Sequence, residues 1–235
     1  MNNGNFFSFE GIDYCGKSTQ IKLVADYLNA QDMPVVVGVE PGSTALGQVL
    51  RKILKSPKSV YRVCNREYKF DSDFMQINPD EPRTAQAEML LFLAARSEFV
   101  DKFVRPNLER EVTVLADRFA DSTRAYQGGG RFNSDPAMIS AINTLNELVI
   151  NSHWPRKTFI LDIPYEVMMK RAETRAQKKD YIESAGEAFF QRVIREYRAI
   201  ARENPQRVVL IDGSQPAEVI FNEGILPYIA QLCLK

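Results

Sequence analysis

Apolar residues fall into two rhythms that alternate along the chain. Short continuous apolar runs occur at NFFSFE (5–10), PVVVGVE (34–40), VTVLADRF (112–119), KTFILDI (157–163) and RVVLIDG (207–213). Such runs, rich in β-branched and aromatic residues, predict five buried strands. Between them the apolar positions recur at helical spacing. In 17–31 they are Ile21, Val24, Ala25 and Leu28. The same period predicts helices over 44–54, 85–109, 135–150, 164–176, 185–203 and 216–234, the last broken near Pro227. Asp135 is placed to cap the 135–150 helix, with Pro136 at its first position. The 85–109 helix is apolar almost all round in its middle, so it is expected to be buried. Strands alternating with helices predict an α/β fold, a parallel five-stranded sheet with helices on both faces. In such sheets ligands sit beyond the carboxyl ends of the strands, so the loops after the first four strands are the informative ones. The stretch 56–84 breaks the rhythm. It is too long for an ordinary connection, aromatic and charged, and is expected to be an ordered insertion within one domain spanning 1–235.

Charge and cysteine content narrow the field. The 30 basic and 30 acidic residues of this 235-residue chain cancel, so no global field draws it to nucleic acid or an anionic membrane. Any anion site must be local. Cys15, Cys64 and Cys233 are scattered and odd in number, with neither a disulfide framework nor metal-ligand spacing. A reducing cytoplasm is the expected home. The start MNNGNFFSFEGID has no signal-peptide pattern, and no apolar run is long enough to span a membrane.

The local anion site is GIDYCGKS, residues 11–18, between the first strand and first helix. It fits G-x-x-x-x-G-K-[ST], a P-loop. Gly11 and Gly16 let the backbone turn its N–H groups inward around a phosphate. The helix start adds the positive end of its dipole. Lys17 can reach the terminal phosphates and Ser18 can offer a hydroxyl to magnesium. Gly11, Ile12, Asp13, Tyr14, Cys15, Gly16, Lys17, Ser18 and Thr19 are therefore the expected donor-nucleotide contacts, and the fold class becomes a three-layer P-loop NTPase type.

Three further stretches carry a resemblance. DRFADSTRAYQGGGR (117–131), EPGST (40–44) and AARSEFV (94–100) stand with DYIE (180–183), followed by Phe189 to Arg192. Together they resemble the thymidylate kinase family, the nucleoside monophosphate kinases that make dTDP from dTMP and ATP. The resemblance runs from about residue 5 to about 220, apart from the insertion. It implies ATP as phosphoryl donor, Mg2+ as cofactor and dTMP as acceptor. It also implies a homodimer formed through helices, which suits a long helix apolar over more surface than one sheet face covers.

The resemblance assigns roles residue by residue. Arg118 and Arg96 would grip the acceptor phosphate. Arg96 has poor spacing for helical pairs with Glu98 or Asp101, which favours the site. Asp13 would lie near the acceptor sugar or magnesium. Asp117 would help Ser18 hold the metal, pair with Arg118, or both. Phe92, one turn before Arg96, would stack on the base. Ser122, Thr123, Tyr126 and Gln127 would line the nucleoside, with Tyr126 excluding a ribose 2′-hydroxyl. Arg171, Arg175, Lys178 and Lys179, in a basic lid over 171–183, would close on ATP. With no cation at Tyr14 or Cys15, the chain resembles the members that carry the basic residue in the lid. Three departures stand out: Tyr14 in the P-loop, Val39 before EPGST, and Tyr181 where the family has arginine. A kinase for another nucleotide, or a non-catalytic nucleotide-binding switch, are the alternatives. No N-K-x-D guanine motif supports the switch, and Lys17 and Arg118 are both retained.

Overall fold

The computed structural model describes residues 5–55, 83–175, 182 and 185–233. Most of the 56–84 insertion and most of the lid, with Lys178, Lys179 and the side chain of Arg175, lie outside them. Five strands are observed, β1 (Phe6–Glu10), β2 (Val35–Val39), β3 (Thr113–Asp117), β4 (Lys157–Asp162) and β5 (Val208–Asp212). All pair in parallel, in the order β2-β3-β1-β4-β5. The connection from β1 leaves toward β2 and that from β3 leaves toward β4, so the two adjacent strands β3 and β1 flank the point where connections diverge. Phe9 and Val39 both lie opposite Asp117. The loops after β1, β2 and β3 therefore leave the sheet side by side.

The helices match the expected periods with physical amendments. α1 (Lys17–Asn29) starts at Gly16, whose φ of 105° is left-handed. α2 (Ala45–Lys55) follows the EPGST turn. α3 (Ala85–Phe99) opens on a Thr84 cap that accepts the Ala87 N–H at 3.2 Å. It continues through a wider π-helical turn, Val100–Val104, into Arg105–Glu109. Pro106, which has no N–H for the preceding turn, sits where the ladder adjusts. α4 (Ala120–Thr123) runs into the π-helical Arg124–Arg131. α5 (Pro136–Ile150) has the expected cap, Asp135 accepting from the Met138 N–H at 3.0 Å. α6 (Tyr165–Arg175) and α7 (Glu187–Glu203) follow. Near the C-terminus the 216–234 helix divides into Ala217–Val219, π-helical Ile220–Ile225 and α8 (Leu226–Cys233). Pro227 starts that last piece.

Two apolar cores occupy the two faces of the sheet. Phe7, Phe9 and Phe159 pack with α1, α7 and the C-terminal segment. Phe6, Phe99, Val114 and Phe119 form the other core. Alternation along β1 puts Ser8 and Glu10 on the Phe6 side. Ser8 Oγ lies 2.7 Å from Thr158 Oγ1, which accepts from Arg207 Nη1 at 2.8 Å. β1 thus carries a buried polar stripe inside an apparently apolar run.

The expected strand 112–119 is shorter at both ends, and the expected loop 117–131 is mostly helical. The three glycines 128–130 are poor helix formers in isolation. They are required by packing instead. A Cβ on Gly128 would lie 2.5 Å from Ile139 Cδ1, one on Gly129 2.9 Å from Glu196 Cβ, and one on Gly130 2.3 Å from the Phe189 ring. The 124–131 segment can lie on α5 and α7 only without side chains there. Among the described residues, no helix is long and apolar enough to cross a membrane.

Candidate active site

Two clefts open at the carboxyl end of the sheet and share Asp13, Glu40, Arg51 and Arg118. The first has about 780 Å3 of empty space, part of it open to solvent. Asp13, Phe92, Arg96, Arg118, Ser122, Thr123, Tyr126 and Gln127, all eight expected acceptor residues, line it. The second is walled by the P-loop, with Lys17, Ser18, Thr19 and Asp117 among its residues.

The P-loop geometry follows from its glycines. Gly11 has φ of 126°, and a Cβ there would sit 2.5 Å from the Leu161 carbonyl oxygen. Only glycine allows the loop so close to β4. Lys17 is buried and donates to the Gly11 and Ile12 carbonyls, both at 3.1 Å. Ser18 Oγ donates to Asp117 Oδ2 at 3.4 Å. Among the described residues, no group of three or more His, Cys, Asp or Glu gathers to hold a metal alone. One hydroxyl and one carboxylate at the mouth of a phosphate loop could hold a magnesium whose other positions are filled by water and phosphate oxygens. Cys15 and Cys233 are free thiols, Cys15 buried within the loop.

Arg118 sits where the clefts meet. Its Nη2 donates to Asp13 Oδ1 at 2.6 Å and to Tyr126 OH at 3.1 Å. Its Nη1 reaches the Gly11 carbonyl at 3.1 Å and Ser122 Oγ at 3.3 Å. The guanidinium carbon lies 4.8 Å from the Tyr126 ring centre. Tyr126 OH donates to Asp13 Oδ2 at 3.1 Å, closing a triangle. Burial pushes the Asp13 carboxyl up, but the Arg118 and Lys17 charges outweigh it and hold it below its ordinary value. Asp13 therefore stays ionised at neutral pH.

Arg96 differs in surroundings. Its Nε donates to Glu40 Oε2 at 3.1 Å, its Nη1 to Thr123 Oγ1 and Asn146 Oδ1, both at 2.8 Å, and its Nη2 to the Phe119 carbonyl at 3.0 Å. Nη2 also faces Glu40 Oε1 at 2.7 Å. The guanidinium expected on the acceptor phosphate is thus committed at every nitrogen. Its partner is Glu40, a residue to which sequence reasoning gave no role of its own. Burial pushes the Glu40 carboxyl up to about 7, against the pull of Arg96. Sequence reasoning also missed Arg51, which lines both clefts while its Nη1 donates to the Pro41 carbonyl at 3.0 Å. Glu88 was missed as well. It accepts Gln127 Nε2 at 3.0 Å and Arg131 Nε at 2.9 Å. Gln127, so engaged, lines the cleft. Arg171 donates from α6 to the Tyr14 and Cys15 carbonyls at 3.3 and 3.4 Å and to the Gly213 carbonyl at 3.0 Å. It fastens the P-loop from outside.

A phosphate loop on β1, a carboxylate at the end of β3 and a second cleft lined by arginines define a P-loop phosphotransferase. The thymidylate kinase family model matches residues 9–67 and 73–223. A thymidylate kinase from Kosmotoga olearia is 37% identical over 230 residues, covering 98% of this chain and 97% of its own. One from Caulobacter vibrioides is 38% identical over 221 residues, covering 94% and 93%. The crystal structure of thymidylate kinase from Ehrlichia chaffeensis is similar at 31% identity and a TM-score of 0.62, over 89% of this chain and 93% of that one. The chain belongs to the thymidylate kinase family.

Proposed function

We propose that the two clefts are the donor and acceptor halves of one site, in which the γ-phosphoryl group of ATP passes to dTMP to give dTDP and ADP. The observation that carries this arrangement is the position of Asp13 and Arg118 in both clefts. The nucleophile is a phosphate oxygen, already largely deprotonated near neutral pH because its second pKa is about 6. No general base is needed. Catalysis then rests on alignment and charge stabilisation. Lys17 moves from its loop carbonyls to the transferring phosphate. Ser18 and Asp117 would hold Mg2+, which neutralises charge on the phosphates when bound. Asp13 tethers Arg118, whose planar fork suits the acceptor phosphate. Arg51 supplies a second cation there, while Arg96 braces the wall through Glu40. Arg171 secures the loop, and Arg175, Lys178 and Lys179 close over ATP from the lid.

Base selection follows from the same cleft. Phe92 stacks on thymine, and the Gln127 carbonyl accepts the N3–H that thymine has and cytosine lacks. Tyr126, fixed by Asp13 and Arg118, leaves no room for a ribose hydroxyl. A coupled assay of ADP release tests this with dTMP, dUMP, dCMP, UMP and thymidine. We expect dTMP to be fastest, and dUMP measurable but slower by the roughly 10- to 200-fold that one methyl allows. UMP and dCMP should be slower still, and excess EDTA should abolish turnover. UMP as fast as dTMP sinks the pocket assignment, and full activity in EDTA sinks the metal.

The same proposal includes a homodimer. Leu46 and Val49 of α2 and Leu90 of α3 are 44, 52 and 52% exposed on helices that pack together. Exposed apolar side chains on two helices that pack together suit a self-complementary interface. Sedimentation velocity should give a dimer at micromolar concentration, and a monomer there ends this part.

A further inference from the structure

Glu10 is fully buried at the end of β1, one residue before the P-loop. Its Oε1 accepts from the Phe119 N–H at 2.7 Å. Its Oε2 accepts from Ser122 Oγ at 2.5 Å and from Tyr197 OH at 2.9 Å. Ser122 Oγ is itself the acceptor for Arg118 Nη1 at 3.3 Å. Glu10 therefore grips the chain at Phe119 and Ser122, in the turn directly after Arg118. That turn is strained, for Arg118 has a left-handed φ of 72° with a side chain attached. Such a conformation persists only where its surroundings hold it.

We propose that Glu10 is a positioning residue for the transfer: its carboxylate fixes the 118–122 turn and so aims the Arg118 guanidinium at the acceptor phosphate. This rests on the role given to Arg118 above. Glu10 reaches no cleft and acts through its partners.

The charge, and not the packing alone, is the active feature. As a carboxylate, Glu10 Oε2 accepts from Ser122 and Tyr197 together. Protonated there, it donates to one of the two hydroxyls, which must then accept, so the bonds that fix Ser122 and Tyr197 are rearranged. Ser122 then no longer holds its place beneath Arg118. The groups that face Glu10 set where this happens. Burial and the Asp121 charge push its carboxyl up, to about 7, while Ser122, Arg118 and Tyr197 oppose them. Arg207, paired to Asp121 at 2.7 and 2.9 Å, also feels the Glu10 charge. A carboxyl raised above its ordinary value favours the protonated form in the fold. Stability is then full at low pH and falls as pH rises toward 7. The ionised Glu10 is a cost to the fold.

Glu10→Gln keeps the shape and removes the charge. At pH 8 we expect kcat to fall about tenfold or more, as misplacement of a positioned group produces. The KM for ATP should hold while that for dTMP rises, and the melting temperature at pH 8 should not fall. Profiles of kcat from pH 6 to 8.5 give the decisive comparison. Substrate phosphates titrate in both proteins, so the difference between them reads Glu10. The wild type should lose activity below about 7 over and above that shared limb, and the variant should not. Tyr197→Phe removes one hydrogen bond to the charged form and should shift the wild-type limb to higher pH. Its result stands even if Glu10→Gln fails to fold. Arg118→Ala is assayed beside them. Near-normal turnover there refutes the Arg118 role itself. A crippled Arg118→Ala with no extra acid limb in the wild type and no shift in Tyr197→Phe refutes the role of Glu10 alone.

Discussion

Lys17→Ala should lower turnover by about a hundredfold or more, with the fold intact. Its ammonium lies within 3.1 Å of two P-loop carbonyls, at the lip of the donor cleft. Loss of one preorganised charge against the transferring phosphate costs roughly 3 kcal/mol of barrier, near a hundredfold in rate. Besides the Cys15 sulfur at 3.6 Å, its bonds in the protein are to loop backbone, so the melt should change little. The ADP-release assay at saturating ATP and dTMP measures the first quantity and thermal unfolding the second. A folded variant with near-normal turnover removes Lys17 from the mechanism.

Arg118→Ala is expected to be as severe, with a different signature. The loss should fall on kcat/KM for dTMP by about a hundredfold or more if the fork grips the acceptor end as proposed. ATP binding should change less. A second consequence concerns Asp13. Arg118 is the largest of the charges that hold the Asp13 carboxyl down. A depressed carboxyl contributes stability above its unfolded pKa and loses it as pH falls toward the folded value. Without Arg118 that contribution shrinks, so the melting temperature should depend less on pH between about 5 and 3, a window set by the ordinary carboxylate value. Unchanged dTMP kinetics in a folded Arg118→Ala removes this residue as the acceptor clamp.

The parts legible in the sequence are those whose chemistry is local. The P-loop declares itself in eight residues because turn, lysine and hydroxyl are neighbours in the chain. The five strands follow from apolar runs, and Asp135 with Pro136 marks one helix start. What stayed hidden depends on contacts across long separations. Arg96 meets Glu40 across 56 positions, and nothing in EPGST distinguishes a carboxylate facing a buried arginine from one in water. Glu88 reaches Gln127 across 39 positions. Arg51 sits on an ordinary amphipathic helix and gains meaning only when α2 is laid beside both clefts. The helix through 124–131 was masked by three glycines whose cause is the surface of α5 and α7. Only the fold supplies that surface.

Those three glycines make α7 a gauge for the nucleoside pocket. Tyr126 and Gln127 precede Gly128 directly, and Phe189 and Glu196 of α7 are what Gly130 and Gly129 touch. The glycine backbone packs directly on the Phe189 ring and the Glu196 stem, and the Phe189 ring also meets the Tyr126 ring edge-on. A bulkier or smaller residue at 189 is passed on to the sugar and base contacts as a displacement of the wall itself. On the proposed acceptor assignment, a substitution at Phe189 is expected to change the ratio of dTMP to dUMP turnover while Lys17 and Arg118 stay in place.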